Sequence, residues 1–103
     1  MKQGELFLVT LDPTIGSEQS KTRPCVIIST NLVNEYANTV TIAPLTKNRT
    51  KEFPFHIPYQ KGMIKIEQLR TIDKKRMIKK IGKIDIITLL HIKKALRTYF
   101  EIE

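Results

Sequence analysis

The chain has 103 residues, 41% of them apolar, and its 18 lysines and arginines exceed its 10 acidic residues to give a net charge of +8. This length allows one domain with a modest core. No apolar run exceeds four residues, so we expect neither a membrane-spanning helix nor a signal peptide, and we expect a cytoplasmic protein. One cysteine and two histidines supply no disulfide and no metal-ligand cluster, so we expect no metal and no other cofactor.

The N-terminal half predicts short strands separated by turns. The sequence "ELFLVTL" alternates apolar and polar side chains, and "DPTIG" after it favours a turn. The next predicted strand is "RPCVIIST". It is followed by "NLVNEYAN", a polar turn or short helix, and by "TVTIAPLT", whose β-branched residues are typical of a central strand.

Two further strands are predicted in the middle of the chain. They are "FPFHIP" and "GMIKIEQL", joined near Gly62, and Pro54 and Pro58 favour an edge position for the first. Connections this short leave no room for crossover helices, so the sheet should be mostly antiparallel. The strand pattern alone fits a small barrel or a sandwich.

Only the C-terminal tail has helical periodicity. Its apolar residues fall on one side of a helical wheel: Ile86, Leu89, Ile92, Leu96, Tyr99 and Phe100. Asp85 is placed to cap this helix, and Ile84 and Leu89 are placed to form a hydrophobic staple. His91 falls on the opposite side, where we expect it to face solvent and to take no part in catalysis.

Most of the positive charge lies in one segment, residues 60–83. This segment holds nine basic and two acidic residues, a charge of +7. A concentrated positive field favours an anionic partner such as nucleic acid, with binding that weakens as the salt concentration rises. The alternative is a solvated lysine-rich surface.

The remaining polar candidates are few. The sequence has no nucleophile elbow, phosphate-binding glycine motif or paired-cysteine metal motif. Arg23 lies at the entry of the second predicted strand, after a polar loop, and Thr46 follows "APL". The planar guanidinium of arginine matches phosphate oxygens, and a threonine hydroxyl can donate to the same group. Such a combination suits recognition or cleavage of a phosphodiester.

Four motifs occur along the chain in the order "GSEQ", "RPCVII", "APLT" and "EQLRTIDKKR". With the opening "GELFLVTLDPT", they resemble the MazF/PemK (Kid) family of type II toxins, ribonucleases that cut messenger RNA. The resemblance implies a mainly β fold, a small SH3-like antiparallel β-barrel with a C-terminal α-helix. It further implies that residues 1–103 form a single toxin domain, that the protein is a homodimer, and that an antitoxin with an acidic C-terminal segment inhibits it.

The resemblance also implies roles for individual residues. Arg23 would be the principal catalytic side chain and Thr46 its partner at the scissile phosphate, while Glu67 or Glu18 could act as the general base. The residues expected to contact single-stranded mRNA are Ser17, Glu18, Gln19, Gln68 and Arg70. The implied reaction leaves a 2′,3′-cyclic phosphate and a 5′-hydroxyl and requires no metal.

Other interpretations remain open from the residues alone. Arg23 could form a surface ion pair, Thr46 could be a turn residue, and Glu67 with Arg70 could be a cross-strand pair. A gyrase-poisoning toxin of the same fold is a second possible function, although that group acts through a tryptophan near its C-terminus and this chain has none. A third is a non-catalytic barrel that binds nucleic acid only through its basic surface.

Overall fold

The computed structural model describes residues 1–11, 22–47 and 54–103. Its strands and helices follow in the order β1 (Glu5–Thr10), β2 (Thr22–Ile27), α1 (Asn31–Tyr36), β3 (Thr39–Thr46), β4 (His56–Tyr59), β5 (Gly62–Lys65), β6 (Arg70–Asp73), β7 (Met77–Lys83) and α2 (Ile86–Phe100). Short 3-10 turns, Ile66–Gln68 and Lys74–Arg76, precede β6 and β7. Within the described ranges, no helix is both long and apolar enough to cross a membrane.

The strands form an antiparallel sheet organised around β3. They pair in the order β4-β5-β3-β2-β1-β7, and β6 also pairs with β3. One edge of β3 pairs with β2, while the other pairs with β6 through its first half and with β5 through Leu45 and Thr46. The predicted mainly β, antiparallel, barrel-like fold with a C-terminal helix is therefore confirmed. Among the described strands the path of pairing is open, with β4 and β7 at its ends.

Each face of the sheet has its own apolar cluster, because successive residues of a strand point to opposite faces. The helix-side cluster, which α2 covers, consists of Leu6, Val26, Ile28, Ala43, Ile57, Ile64, Ile66, Ile84, Ile92 and Ala95. The opposite-face cluster consists of Val9, Cys25, Ile27, Val40, Ile42 and Ile72. Both ends of the sequence thus contribute to the helix-side cluster, and β2 contributes Cys25 and Ile27 to the opposite-face cluster.

Helix α2 begins as predicted but buries a different set of residues. Asp85 caps it, because the Thr88 backbone N–H and hydroxyl both donate to its carboxylate, at 3.1 and 2.5 Å. The buried residues are Thr88, Ile92 and Ala95, with Leu89 and Leu96 half-buried. Ile86, Tyr99 and Phe100 are 67%, 40% and 52% exposed, so the predicted face is wrong at both ends. The helix packs on β4 and the first 3-10 turn, and the side chains that it buries are those of Thr88, Ile92 and Ala95.

The segment after Gly62 also differs from the sequence-based expectation. Instead of one strand over "GMIKIEQL", β5 ends at Lys65, and a 3-10 turn redirects the chain into β6. The lysine-rich stretch that follows forms β7, which pairs with β1 and has two bulges. Neither β6 nor β7 is predicted from local pattern, since both depend on the edges that β3 and β1 offer them.

Candidate active site

Arg23 is the second residue of β2, and its side chain is exposed. Its backbone pairs with Val9 of β1, and the next residue, Pro24, restricts the backbone of Arg23 to extended conformations. Among the described residues Arg23 has no ion-pair partner. The interpretation of Arg23 as half of a surface ion pair therefore has no support in the described part of the chain.

The register of β2 on β3 brings Arg23 and Thr46 to one place. Cys25 lies opposite Pro44 in the last pair between the two strands, so Arg23 and Thr46 each lie two residues beyond that pair. Side chains two residues apart on a strand point to the same face of the sheet. Arg23 shares the face of Cys25 and Thr46 shares the face of Pro44, so both lie on the same face at neighbouring strand ends.

Thr46 is held by β5. It is the last residue of β3 and pairs with Met63, whose carbonyl accepts a hydrogen bond from its hydroxyl at 3.2 Å. A Cβ atom built on Gly62 would lie 2.0 Å from the Thr46 backbone oxygen, so only glycine permits this close approach of the two strands. Thr46 is therefore a strand residue and not a turn residue. Rotation of its hydroxyl would redirect the donor toward a phosphate.

Arg70 adds a second guanidinium to the same face. It begins β6 and lies opposite Ile42, a member of the opposite-face cluster. Burial raises the pKa of the Cys25 thiol to about 12, while the positive charges of Arg23 and Arg70 act on it in the other direction. Both guanidinium groups are thus close enough to influence one buried atom. The face that carries Arg23, Arg70 and Thr46 is therefore cationic.

Glu67 lies on the 3-10 turn, three residues before Arg70, and pairs with a buried histidine. Its Oε2 is 2.8 Å from Nε2 of His56, whose side chain is 4% exposed against 32% for Glu67. The other oxygen of Glu67, Oε1, is buried without a hydrogen-bond partner among the described residues. The contact with His56 replaces the suggested cross-strand pair of Glu67 with Arg70. Sequence reasoning missed His56, because nothing in "FHIP" signals a partner 11 residues away.

Of the other residues predicted to contact RNA, Gln68 is described by the structure and three are not. Gln68 is exposed at the end of the 3-10 turn, two residues before Arg70. Ser17, Glu18 and Gln19 lie outside the described residues, so their place at the site stays a prediction. The described candidates thus fall into two groups: Arg23, Thr46 and Arg70 on one sheet face, and Glu67 with Gln68 on the turn that leads into it.

The basic segment is distributed over β5, β6, β7 and the turns between them. Most of its cationic side chains are exposed, including Lys61, Lys79 and Lys83. One of them is neutralised, since Lys80 Nζ lies 2.7 Å from Oε2 of the buried Glu5. The field on the described surface therefore remains strongly positive.

Glu5→Gln is expected to lower stability by about 0.2–1 kcal/mol at neutral pH. Burial opposes ionisation of Glu5, but hydrogen bonds from the Lys80 side chain and the Lys2 backbone N–H outweigh it and lower its pKa. A carboxyl group with a lowered folded-state pKa stabilises the fold above its unfolded-state pKa, and this contribution is lost as pH falls through the folded-state pKa. Thermal unfolding of both proteins from about pH 7 to about pH 3 should show the difference shrinking. A difference independent of pH would contradict the assignment.

Solved structures with the same fold come from several bacteria. A MazE–MazF complex from Deinococcus radiodurans superposes with a TM-score of 0.85, at 20% identity, over 100% of this chain and 97% of that one. An endoribonuclease in complex with its cognate antitoxin, from a mycobacterial species, gives a TM-score of 0.84 at 20% identity, with coverage of 100% and 97%. These similarities establish the fold.

The sequence itself establishes the family. Endoribonuclease MazF of Staphylococcus epidermidis is 33% identical over 105 aligned positions, which cover 93% of this chain and 88% of the relative. The family described as PemK-like, MazF-like toxins of type II toxin–antitoxin systems matches residues 2–100. Both matches span the strands that carry Arg23 and Thr46 as well as the turn that carries Glu67, and the chain therefore belongs to the PemK/MazF family of toxins.

Proposed function

We propose that this chain is an endoribonuclease and the toxin of a type II toxin–antitoxin system, and that residues 1–103 form one toxin domain that acts on single-stranded mRNA in the cytoplasm. The observation that supports the proposal is the strand register, which gives Arg23 and Thr46 neighbouring strand ends on a sheet face shared with Arg70. The match to Endoribonuclease MazF supports the reaction class. The net charge of +8 suits a polyanionic substrate.

The proposed reaction is transesterification within the RNA backbone. The 2′-oxygen attacks the adjacent phosphorus, the bond from phosphorus to the 5′-oxygen breaks, and the products are a 2′,3′-cyclic phosphate and a 5′-hydroxyl. The proton of the 2′-hydroxyl goes to a general base, and a proton is delivered to the departing 5′-oxygen. DNA lacks the attacking hydroxyl and is expected to be spared.

Arg23 and Thr46 would stabilise the charge that builds on the phosphorane oxygens. The guanidinium provides two parallel donors in a fixed plane, and the sheet holds it in place before the substrate binds. Arginine stays protonated in proteins, so Arg23 is a poor base and serves as an electrostatic group that can also assist the leaving oxygen. We assign the role of general base to Glu67, because the hydrogen bond to His56 orients its carboxylate.

The proposed partners follow from the charge of the site. An acidic, disordered segment of an antitoxin would fold over the cationic face and compete with RNA for Arg23 and Arg70. The two solved structures described above are complexes, one with a cognate antitoxin and one of MazE with MazF. The same mode of inhibition is proposed for this chain.

A homodimer is expected from the apolar surface of α2. Ile86, Ile87 and Leu90 are each more than half exposed, and a second copy would remove them from water. Light scattering at micromolar concentration should give about twice the monomer mass of 11.9 kDa. A species of 11.9 kDa alone would show that these residues stay solvated.

The function is tested with purified protein and three substrates. Labelled RNA should be cut equally well with and without EDTA, and its products should carry a cyclic phosphate, while single-stranded DNA should remain intact. Gyrase acting on supercoiled DNA should be unaffected. Poisoned gyrase with intact RNA would identify a gyrase toxin, and binding without cleavage would identify a non-catalytic nucleic-acid-binding barrel.

A further inference from the structure

A cavity of about 320 Å³ adjoins Thr46 on the described surface. It lies between the start of β2, the end of β3 and the β4–β5 hairpin. The residues that line it include Pro24, Leu45, Thr46, Lys47, Tyr59 and Lys61. Its size is at the lower end of the range of ~300–1,000 Å³ that small-molecule sites occupy. The cavity is therefore next to the candidate active site, because its lining includes the candidate catalytic residue Thr46 and Pro24, which follows Arg23.

The hairpin that borders this cavity is held against β3 by close backbone packing. Tyr59 pairs with Gly62 across the turn, and Gln60 adopts a left-handed conformation with φ of 53°. Gly62 packs so closely on the Thr46 backbone oxygen that a Cβ atom would clash with it. The position of Tyr59 is thus linked to that of Thr46 through the backbone of Gly62.

The lining combines an aromatic ring with positive charge at the rim. Pro24, Leu45 and Tyr59 provide apolar surface, and Tyr59 is half-buried against the helix-side cluster. Lys47 and Lys61 are exposed. Their ammonium groups can donate hydrogen bonds but cannot accept them. Proteins that bind single-stranded nucleic acids stack the bases on aromatic side chains and attract the backbone with flanking positive charges.

We infer that this cavity binds the base of the nucleotide that adjoins the scissile phosphate, and that it favours a base with a carbonyl oxygen at C4 of a pyrimidine or C6 of a purine, which is uracil or guanine. The inference rests on the proposed ribonuclease function. The phosphate would lie at Arg23 and Thr46, the ring of the adjoining base would stack on Tyr59, and its oxygens would accept from Lys47 or Lys61. At the same ring position cytosine and adenine carry an amino group, which donates hydrogen bonds and therefore finds no acceptor in the two ammonium groups.

Binding of short RNAs that cannot be cut provides the test. The cleavage site carries a 2′-deoxy nucleotide, and each of the other positions is replaced in turn by an abasic residue. An abasic residue beside the scissile phosphate should weaken binding to the wild type on the order of 10-fold, and Tyr59→Leu should weaken binding of the complete RNA to a similar degree. Combined, the two changes should be no worse than either one, because both remove the same stacking contact.

Matched variants separate stacking and charge from folding. Tyr59→Phe keeps the ring and should bind within about twofold of wild type, as should Tyr36→Leu, which replaces an exposed tyrosine of α1. Lys61→Met keeps most of the side chain's length and should reduce the preference for uracil and guanine, while Lys93→Met on α2 should leave that preference unchanged. Lys61 is exposed in the hairpin, so this arm remains informative if Tyr59→Leu fails to fold.

Two results would overturn the inference. In the first, Tyr59→Leu and the abasic residue weaken RNA binding independently, so that their effects multiply at every position of the RNA. In the second, their effects on binding are coupled only at a nucleotide that does not adjoin the cleaved bond. Equal preference for the four bases in wild type and Lys61→Met would remove the assignment of uracil or guanine. Failure of the wild type to cut any RNA is a separate outcome, because it rejects the proposed function together with the inference that rests on it.

Discussion

Arg23→Lys is expected to cut RNA on the order of 10² to 10³ times more slowly than the wild type, while binding RNA about as well in moderate salt. Lysine keeps the positive charge of Arg23 but lacks the planar pair of donors that matches two phosphate oxygens. If those donors act on charge that develops only in the transition state, their loss resembles removal of one oxyanion-hole donor. Attraction to the ground-state phosphate should change little.

Arg23→Ala removes both the charge and the donors, so it should cut more slowly than Arg23→Lys and bind somewhat more weakly, since one phosphate contact among many is lost. Single-turnover cleavage of a short RNA and binding of its 2′-deoxy analogue measure the two effects separately. Arg97→Lys, a change at an exposed arginine of α2, is the control and should match the wild type. Cleavage by Arg23→Lys within about threefold of wild type would assign Arg23 to binding alone, as would parallel losses of binding and cleavage.

The elements that could be predicted from the sequence are those in which a segment's own pattern decides its structure. β3 contains β-branched Val40, Thr41 and Ile42, which suit a strand in the middle of a sheet. Asp85 caps α2 through an interaction that spans only three residues. β7 is different, because "MIKKIGK" has lysines at positions of both faces and becomes a strand through the backbone edge of β1. That edge exists only in the folded protein.

The candidate site shows the same division. Arg23, Thr46 and Arg70 are identified by motifs, and the register of three strands then brings them to one face. The pairing of His56 with Glu67 was not predictable, because the alternation in "GMIKIEQL" continues through the point where the chain leaves β5 and turns. Packing of Ile66 into the helix-side cluster accompanies that turn, and no local signal reveals it.

Glu67→Gln is expected to slow cleavage about 10²- to 10⁴-fold, the range for loss of a general acid–base group, without much loss of stability. The glutamine amide can still hydrogen-bond to His56, so the turn should keep its shape, but an amide cannot accept the proton of the 2′-hydroxyl. Single-turnover cleavage at saturating protein gives the chemical rate, and thermal unfolding reports the stability. Glu18→Gln provides the comparison at the other candidate base. Wild-type cleavage by Glu67→Gln with a slow Glu18→Gln would transfer the role of general base to Glu18.

The part played by His56 is to position Glu67, and two substitutions distinguish positioning from simple support of the fold. His56→Ala removes the group that lies 2.8 Å from Glu67 and leaves a buried polar atom without its partner, at a cost of about 1–3 kcal/mol in stability. His56→Gln can return a donor to the position of Nε2. If His56 orients the carboxylate, both variants should lose stability, because each loses packing of the imidazole ring, but only His56→Ala should lose the chemical rate by a factor on the order of 10. Equal cleavage rates for the two variants at matched stability would mean that His56 only supports the fold, and that the 3-10 turn itself orients Glu67.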